Sequence, residues 1–107
     1  LNIRRSKEIW IGLVEVHALP DAEVLRDVSG AYVNVLTWAS SVEEYKQKIK
    51  IVMETMKLRI VEIEDAEPIG QRGNIENEEI LDIVDRVSVN QNAIIYGTFQ
   101  TWEEAPN

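Results

Sequence analysis

The acid–base and metal-binding chemistry open to this chain is concentrated in one repeated pattern. Glu15 and His17 close an alternating apolar run, and Glu62 and Glu64 close another. Residues two apart share a face of an extended strand, so each pair projects to one side. If the two runs are sheet neighbours, three carboxylates and an imidazole meet at one edge of one face. Oxygen donors with an imidazole suit a divalent cation, which makes Glu15, His17, Glu62 and Glu64 the candidate metal ligands of a metal-dependent enzyme or sensor. The competing reading is that alternating strands leave their polar ends in water, and no spacing sets the distance between the two runs. The runs also echo each other at an offset of 47 residues, Ile11 to His17 against Leu58 to Glu64. A duplicated half-domain would produce this, as would any two half-buried strands.

Other catalytic chemistries find no support. The chain has no cysteine, which removes thiol nucleophiles, thiolate metal sites and disulfides. A Ser or Thr nucleophile would depend on the lone His17, with no local signature for it. Phosphate-cradling glycine loops, a nucleophile elbow and paired metal histidines are all missing. No catalytic residue and no cofactor is therefore expected.

Charge divides unevenly. Residues 1–59 carry nine Lys and Arg against eight Asp and Glu, whereas residues 60–107 carry two against eleven. Glu76, Glu78, Glu79, Asp82 and Asp85 form a candidate acidic patch. Such a surface would steer a basic protein partner to the chain, as in an acidic inhibitor or immunity-type protein. The plainer alternative is that these residues solubilise and cap a helix. With a net charge of −8, neither nucleic acid nor an anionic surface is an expected partner. Residues 69–73 (IGQRG) imitate the GxxG loop of KH domains, but their acidic surroundings repel phosphate, and they read as an exposed loop.

The elements that must position these groups follow from periodicity. Residues 9–17 (IWIGLVEVH) alternate, with Ile9, Ile11 and Leu13 opposed to Trp10, Val14 and Val16, and predict a strand. A short helical turn from Asp21 through Val28 is expected before Gly30. Residues 31–39 (AYVNVLTWA) predict a second strand, antiparallel to the first. Ser40 and Ser41 each precede a Glu by three residues, the capping-box spacing that starts a helix. Val42, Tyr45, Ile49, Val52 and Met56 line its buried face, while Lys46, Lys48 and Lys50 point mostly away. Residues 58–65 return to alternation, and residues 66–76 predict a loop. Asn77 caps a second helix whose stripe is Ile80, Ile83, Val84 and Val87, ending near Ser88. A last strand is expected over residues 93–99, with Gly97 at a bulge or close contact.

In its parts this order resembles a ferredoxin-like plait, with a loop where one strand is usual and an extra strand at the start. The expected architecture is an α+β two-layer sandwich, two helices on one face of a four-stranded mixed sheet, occupying residues 9–100 between flexible termini. The length of 107 residues and an apolar fraction of 45% suit one folded domain. Apolar runs are too short to cross a membrane and no signal peptide is recognisable, so a soluble, cytoplasmic protein is expected. The second strand is apolar on both sides: Tyr32, Leu36 and Trp38 on one, Val33 and Val35 on the other. Helices on one face would leave the aromatics bare, which predicts a homodimer through Tyr32, Leu36 and Trp38. A non-enzymatic binding module, dimeric and recognising a protein or small ligand, is the leading expectation.

Overall fold

The computed structural model describes residues 6–25 and 28–102. Its elements are β1 (Glu8–Ala18), β2 (Gly30–Ala39), α1 (Val42–Thr55), β3 (Leu58–Pro68), a short 3-10 turn (Ile69–Arg72), α2 (Glu78–Ser88), β4 (Ile94–Tyr96) and β5 (Gln100–Trp102). The fold is α+β, with an open antiparallel sheet. The sheet runs β3-β1-β2-β4, and β5 also pairs with β2. β2 and β3 are each antiparallel to β1, so they run parallel to one another with β1 between them. β2, α1 and β3 therefore form a strand–helix–strand unit whose helix crosses over the intervening β1.

Two parts of the expected architecture are corrected. Among the described residues the sheet has five strands, each pair antiparallel, in place of four mixed ones. The helices also stand on opposite faces. Register pairs Val14 with Val33 and Gly12 with Val35 on one face, where Tyr45, Ile49 and Met53 of α1 complete a core. Ile11 pairs with Leu36 on the other, under Ile83 and Val87 of α2. This departs from the ferredoxin-like layout, in which both helices share a face. Both faces of β2 are apolar because each has a helix to bury against, which local periodicity cannot distinguish from an open face.

Local signals place the helices well. Ser41 caps α1, its Oγ accepting from the Glu44 N–H at 3.2 Å. Asn77 caps α2, its Oδ1 accepting from the Ile80 N–H at 3.0 Å. Other boundaries move. No helix forms at residues 21–25, where the chain turns and Leu25 takes a left-handed φ of 65°, nor at Val28; Arg26 and Asp27 of that predicted element lie outside the described residues. β3 runs on to Pro68 through what reads as loop. The predicted last strand, residues 93–99, shortens to β4, just beyond which Gly97 donates to the Asn34 carbonyl at 2.9 Å, and a separate strand β5 follows from Gln100. Thr101 and Trp102, assigned to a flexible end, belong to β5; the remaining terminal residues, 1–5 and 103–107, lie outside the described residues.

β3 carries the detail that matters most for function. Its register with β1 slips between the pairs Glu15–Glu62 and Val16–Ile60, leaving Val61 as an extra residue. A bulge of this kind reverses the alternation beyond it. Leu58 and Ile60 therefore pack on the α1 side with Ile63, while Glu62 and Glu64 turn to the opposite face. A second slip lies between the pairs Leu13–Glu64 and Ile11–Glu67, where Asp65 adopts φ 54°.

Candidate functional site

α2 covers only part of its sheet face, and the uncovered part carries the polar residues singled out from the sequence. Cross-strand pairing arranges them in rows. Arg59, His17, Gly30 and Trp102 form one row across β3, β1, β2 and β5. Glu62, Glu15, Tyr32 and Gln100 form the next, and Glu64, Leu13 and Asn34 the third. Farther along, Glu67, Ile11 and Leu36 form a fourth row, of which Ile11 and Leu36 pass beneath α2.

Gly30 creates the aromatic part of this surface. A Cβ there would lie 2.6 Å from Cζ2 of Trp102, so the indole rests over the glycine and fills the gap in its row. From that position it meets His17 edge-on, centroids 5.9 Å apart, and Tyr32 at 5.0 Å. Glu15, His17, Tyr32 and Trp102 line a shallow cavity of about 560 Å³ together with Gln100 and Thr101.

His17 is held at one ring nitrogen and faces a carboxylate with the other. Nδ1 lies 3.2 Å from Nη2 of Arg59. A guanidinium can only donate, so Nδ1 accepts, and the neutral ring carries its proton on Nε2. Nε2 in turn faces the Glu15 carboxylate at 4.0 Å. In this arrangement neither nitrogen presents a lone pair to a cation. Glu15, His17, Glu62 and Glu64 are thus brought to one face, as the sequence anticipates, yet among the described residues no group of three or more His, Asp or Glu is spaced to hold a metal ion.

The carboxylates there lack compensation. Among the described residues, Glu15, Glu62 and Glu64 have no Lys or Arg in ion-pair contact, and Glu15 meets only the imidazole of His17, at 4.0 Å. The Glu62 charge, with smaller contributions from burial and from Asp65 and Glu15, holds the Glu64 carboxyl above its ordinary range. Glu15 foremost, then burial and the two other glutamates, raises the Tyr32 hydroxyl, keeping it a neutral donor. A carboxyl raised in the folded state lowers stability as pH climbs from its unfolded to its folded value. Glu64→Gln should therefore raise the thermal midpoint at pH 7, and that advantage should vanish below about pH 4, where unfolded carboxyls are also protonated. Scanning calorimetry over that range checks the sign.

The remaining candidates scatter. Leu36 is fully buried and Trp38 half-buried beneath α2, with Trp38 Nε1 donating to the Val87 carbonyl at 2.8 Å. Of the predicted dimer surface, Tyr32 stays exposed. In the acidic patch, Glu79 accepts from the N–H and hydroxyl of Thr98, at 2.8 and 2.6 Å, and these bonds lower its pKa. Gly97 leaves the room it needs, since a Cβ would overlap the Glu79 carboxylate. Asp82 pairs with Arg86 one turn on, at 3.8 Å. Glu76, Glu78 and Asp85 form no ion pair among the described residues. Arg72, the cation of residues 69–73, folds back onto Glu67 and the Asp65 carbonyl.

Sequence reasoning missed Arg59 and did not single out Trp102 from the other aromatics able to floor a pocket. The only sequence signal for Trp102 is a large aromatic near the end of the chain, and for Arg59 a strand-start cation beside the glutamates. Their meeting with His17 depends on pairings 42 and more residues apart. No family model, curated protein or solved structure matches the chain.

Proposed function

We propose that this chain is a non-enzymatic binding module that captures a basic protein by seating an Arg or Lys side chain on the uncovered half of the sheet. One observation carries this reading: the tilted Tyr32–Trp102 pair borders Glu15, where Glu15, Glu62 and Glu64 have no Lys or Arg partner among the described residues. Aromatic faces attract a cation through the ring quadrupole, by about 0.5–2 kcal/mol, and flanking carboxylates add charge-assisted hydrogen bonds. An incoming guanidinium would also relieve the repulsion between Glu62 and Glu64. α2 stands on the same face, and its Glu78 and Asp85, without an ion pair among the described residues, extend the field that draws a basic partner in.

Titration with an arginine-bearing decapeptide tests this. Saturable one-to-one binding that weakens roughly tenfold in Glu15→Gln/Glu62→Gln, and falls with added salt, is expected. Binding untouched by those changes would refute the reading. A thermal shift from a divalent metal ion that disappears in Glu62→Ala would favour the metal-dependent alternative. Because Tyr32 belongs to the predicted dimer surface, light scattering gives a further check. The mass of one chain at micromolar concentration leaves the surface free for another protein; twice that mass, lost in Tyr32→Asp, assigns it to a second copy.

A further inference from the structure

The opposite side of the molecule carries a groove of reversed polarity. It opens between α1 and β3, encloses about 640 Å³ and is floored by Leu58, Ile60 and Ile63. β3 ends the sheet, so among the described residues no further strand closes the groove. Lys46 and Lys50 stand one turn apart along the α1 rim, and Lys57 guards the end where α1 turns into β3. The left-handed φ of 60° at Lys57 and the bond from the Leu19 N–H to its carbonyl at 3.0 Å fix that corner. Leu19, 40% exposed, extends the apolar lining.

The charge here runs against the whole chain. In a protein of net charge −8, three ammonium groups and one carboxylate, Glu54, surround an apolar floor. Among the described residues none of the three lysine side chains forms an ion pair or hydrogen bond. Lys48, between them in sequence, shows the contrast, since its Nζ donates to the Trp38 carbonyl at 2.6 Å. The Arg59 guanidinium, though its residue borders the groove, is directed to His17 on the other face. An apolar cavity of several hundred Å³ with a few converging polar groups is the usual form of a small-molecule site. Free cations above an apolar floor select a ligand with a hydrocarbon tail and an anionic head, the tail displacing water from Ile60 and Ile63 while the head meets the lysines.

We infer that the α1–β3 groove binds a single-chain amphiphile with an anionic head, a carboxylate or a phosphate, independently of the basic-partner surface on the other face. Calorimetric titration with decanoate and with decyl phosphate, each as monomer in solution, tests it and separates the two head groups. One-to-one saturable binding of at least one of them is expected, at least roughly tenfold weaker in Lys46→Glu/Lys50→Glu and weaker in Leu19→Ser. These are exposed positions, so circular dichroism should show the fold intact. Decyltrimethylammonium, with the same tail and a cationic head, should not compete. Absence of saturation with both anions, equal binding of the cationic analogue, or binding unchanged in the double variant would each overturn the inference. So would retention only on phosphatidylglycerol vesicles, or a dimer that the double variant dissociates, which would give the groove to a membrane or to a second copy. Glu15→Gln/Glu62→Gln should leave decanoate binding unaltered, keeping the two sites distinguishable.

Discussion

Tyr45→Ala should remove about 3–5 kcal/mol of unfolding free energy, the range for deleting a buried aromatic side chain. Tyr45 is the largest fully buried side chain, projecting from α1 into the face where β1 and β2 meet. Its hydroxyl donates to the Val35 carbonyl at 2.7 Å, and its ring stacks on Trp10 at 6.2 Å. Tyr45→Phe keeps the packing and should cost only about 1 kcal/mol, the net worth of one hydrogen bond. Gly12 is the other half of this arrangement: a Cβ there would lie 2.7 Å from the Tyr45 hydroxyl oxygen and 3.0 Å from its ring. Gly12→Ala should therefore be destabilising alone and less so when combined with Tyr45→Phe, which deletes the nearest atom. Urea denaturation of the two single variants and the double measures the coupling, and strict additivity would show that the two positions do not interact.

The same tyrosine gives an alkaline signature. Burial pushes its hydroxyl well above the ordinary phenol range, with Arg72 opposing slightly. A phenol whose folded-state pKa is raised stays neutral in the native protein while the unfolded chain ionises, so stability falls once pH passes the unfolded value of about 10. Tyr45→Phe should flatten that alkaline loss, leaving the smaller contribution of Tyr32.

Gly30→Ala is the substitution expected to damage the basic-partner surface most. Its Cβ would lie 2.6 Å from both the Trp102 ring and the Val16 carbonyl oxygen. The indole can leave, but the backbone oxygen cannot move without disturbing the β1–β2 ladder. Overpacking of this kind costs about 1–3 kcal/mol. Expulsion of Trp102 separates it from Tyr32 and His17, so capture of the arginine peptide should weaken roughly tenfold, the worth of a cation–π contact and its accompanying packing. A red shift of tryptophan emission would report the ring entering water. Gly70→Ala provides the control: nothing lies within 4 Å of its added Cβ, and both stability and peptide binding should stay as they are. Full peptide affinity in a folded Gly30→Ala protein would remove Trp102 from the site.

Much of the secondary structure is legible without coordinates because its signals are local. Ser41 and Asn77 announce helix starts through a side chain that accepts from an N–H three residues on, and Tyr45, Ile49, Ile83 and Val87 mark buried stripes at helical spacing. Glu15 and His17 are assignable to one face by strand alternation alone. The site was half legible for the same reason. Glu62 and Glu64 do join Glu15 and His17, but through a bulge at Val61 that alternation does not foresee, and the extra residue decides that they leave the face of Leu58 and Ile60.

What the amino-acid order determined by itself is the set of pieces: two early strands with their inner and outer residues, two capped amphipathic helices, and an excess of carboxylate in the second half. Those properties depend on neighbours within a turn or a few strand residues, where geometry is the same in any fold. The tertiary structure alone decided that the helices lie on opposite faces, that Trp102 rests over Gly30, that Glu79 is taken up by Thr98, and that three lysines border an apolar groove. Each of these requires contacts between residues distant in sequence. Such contacts are set by which buried surfaces fit together, a competition among whole arrangements that no local pattern records.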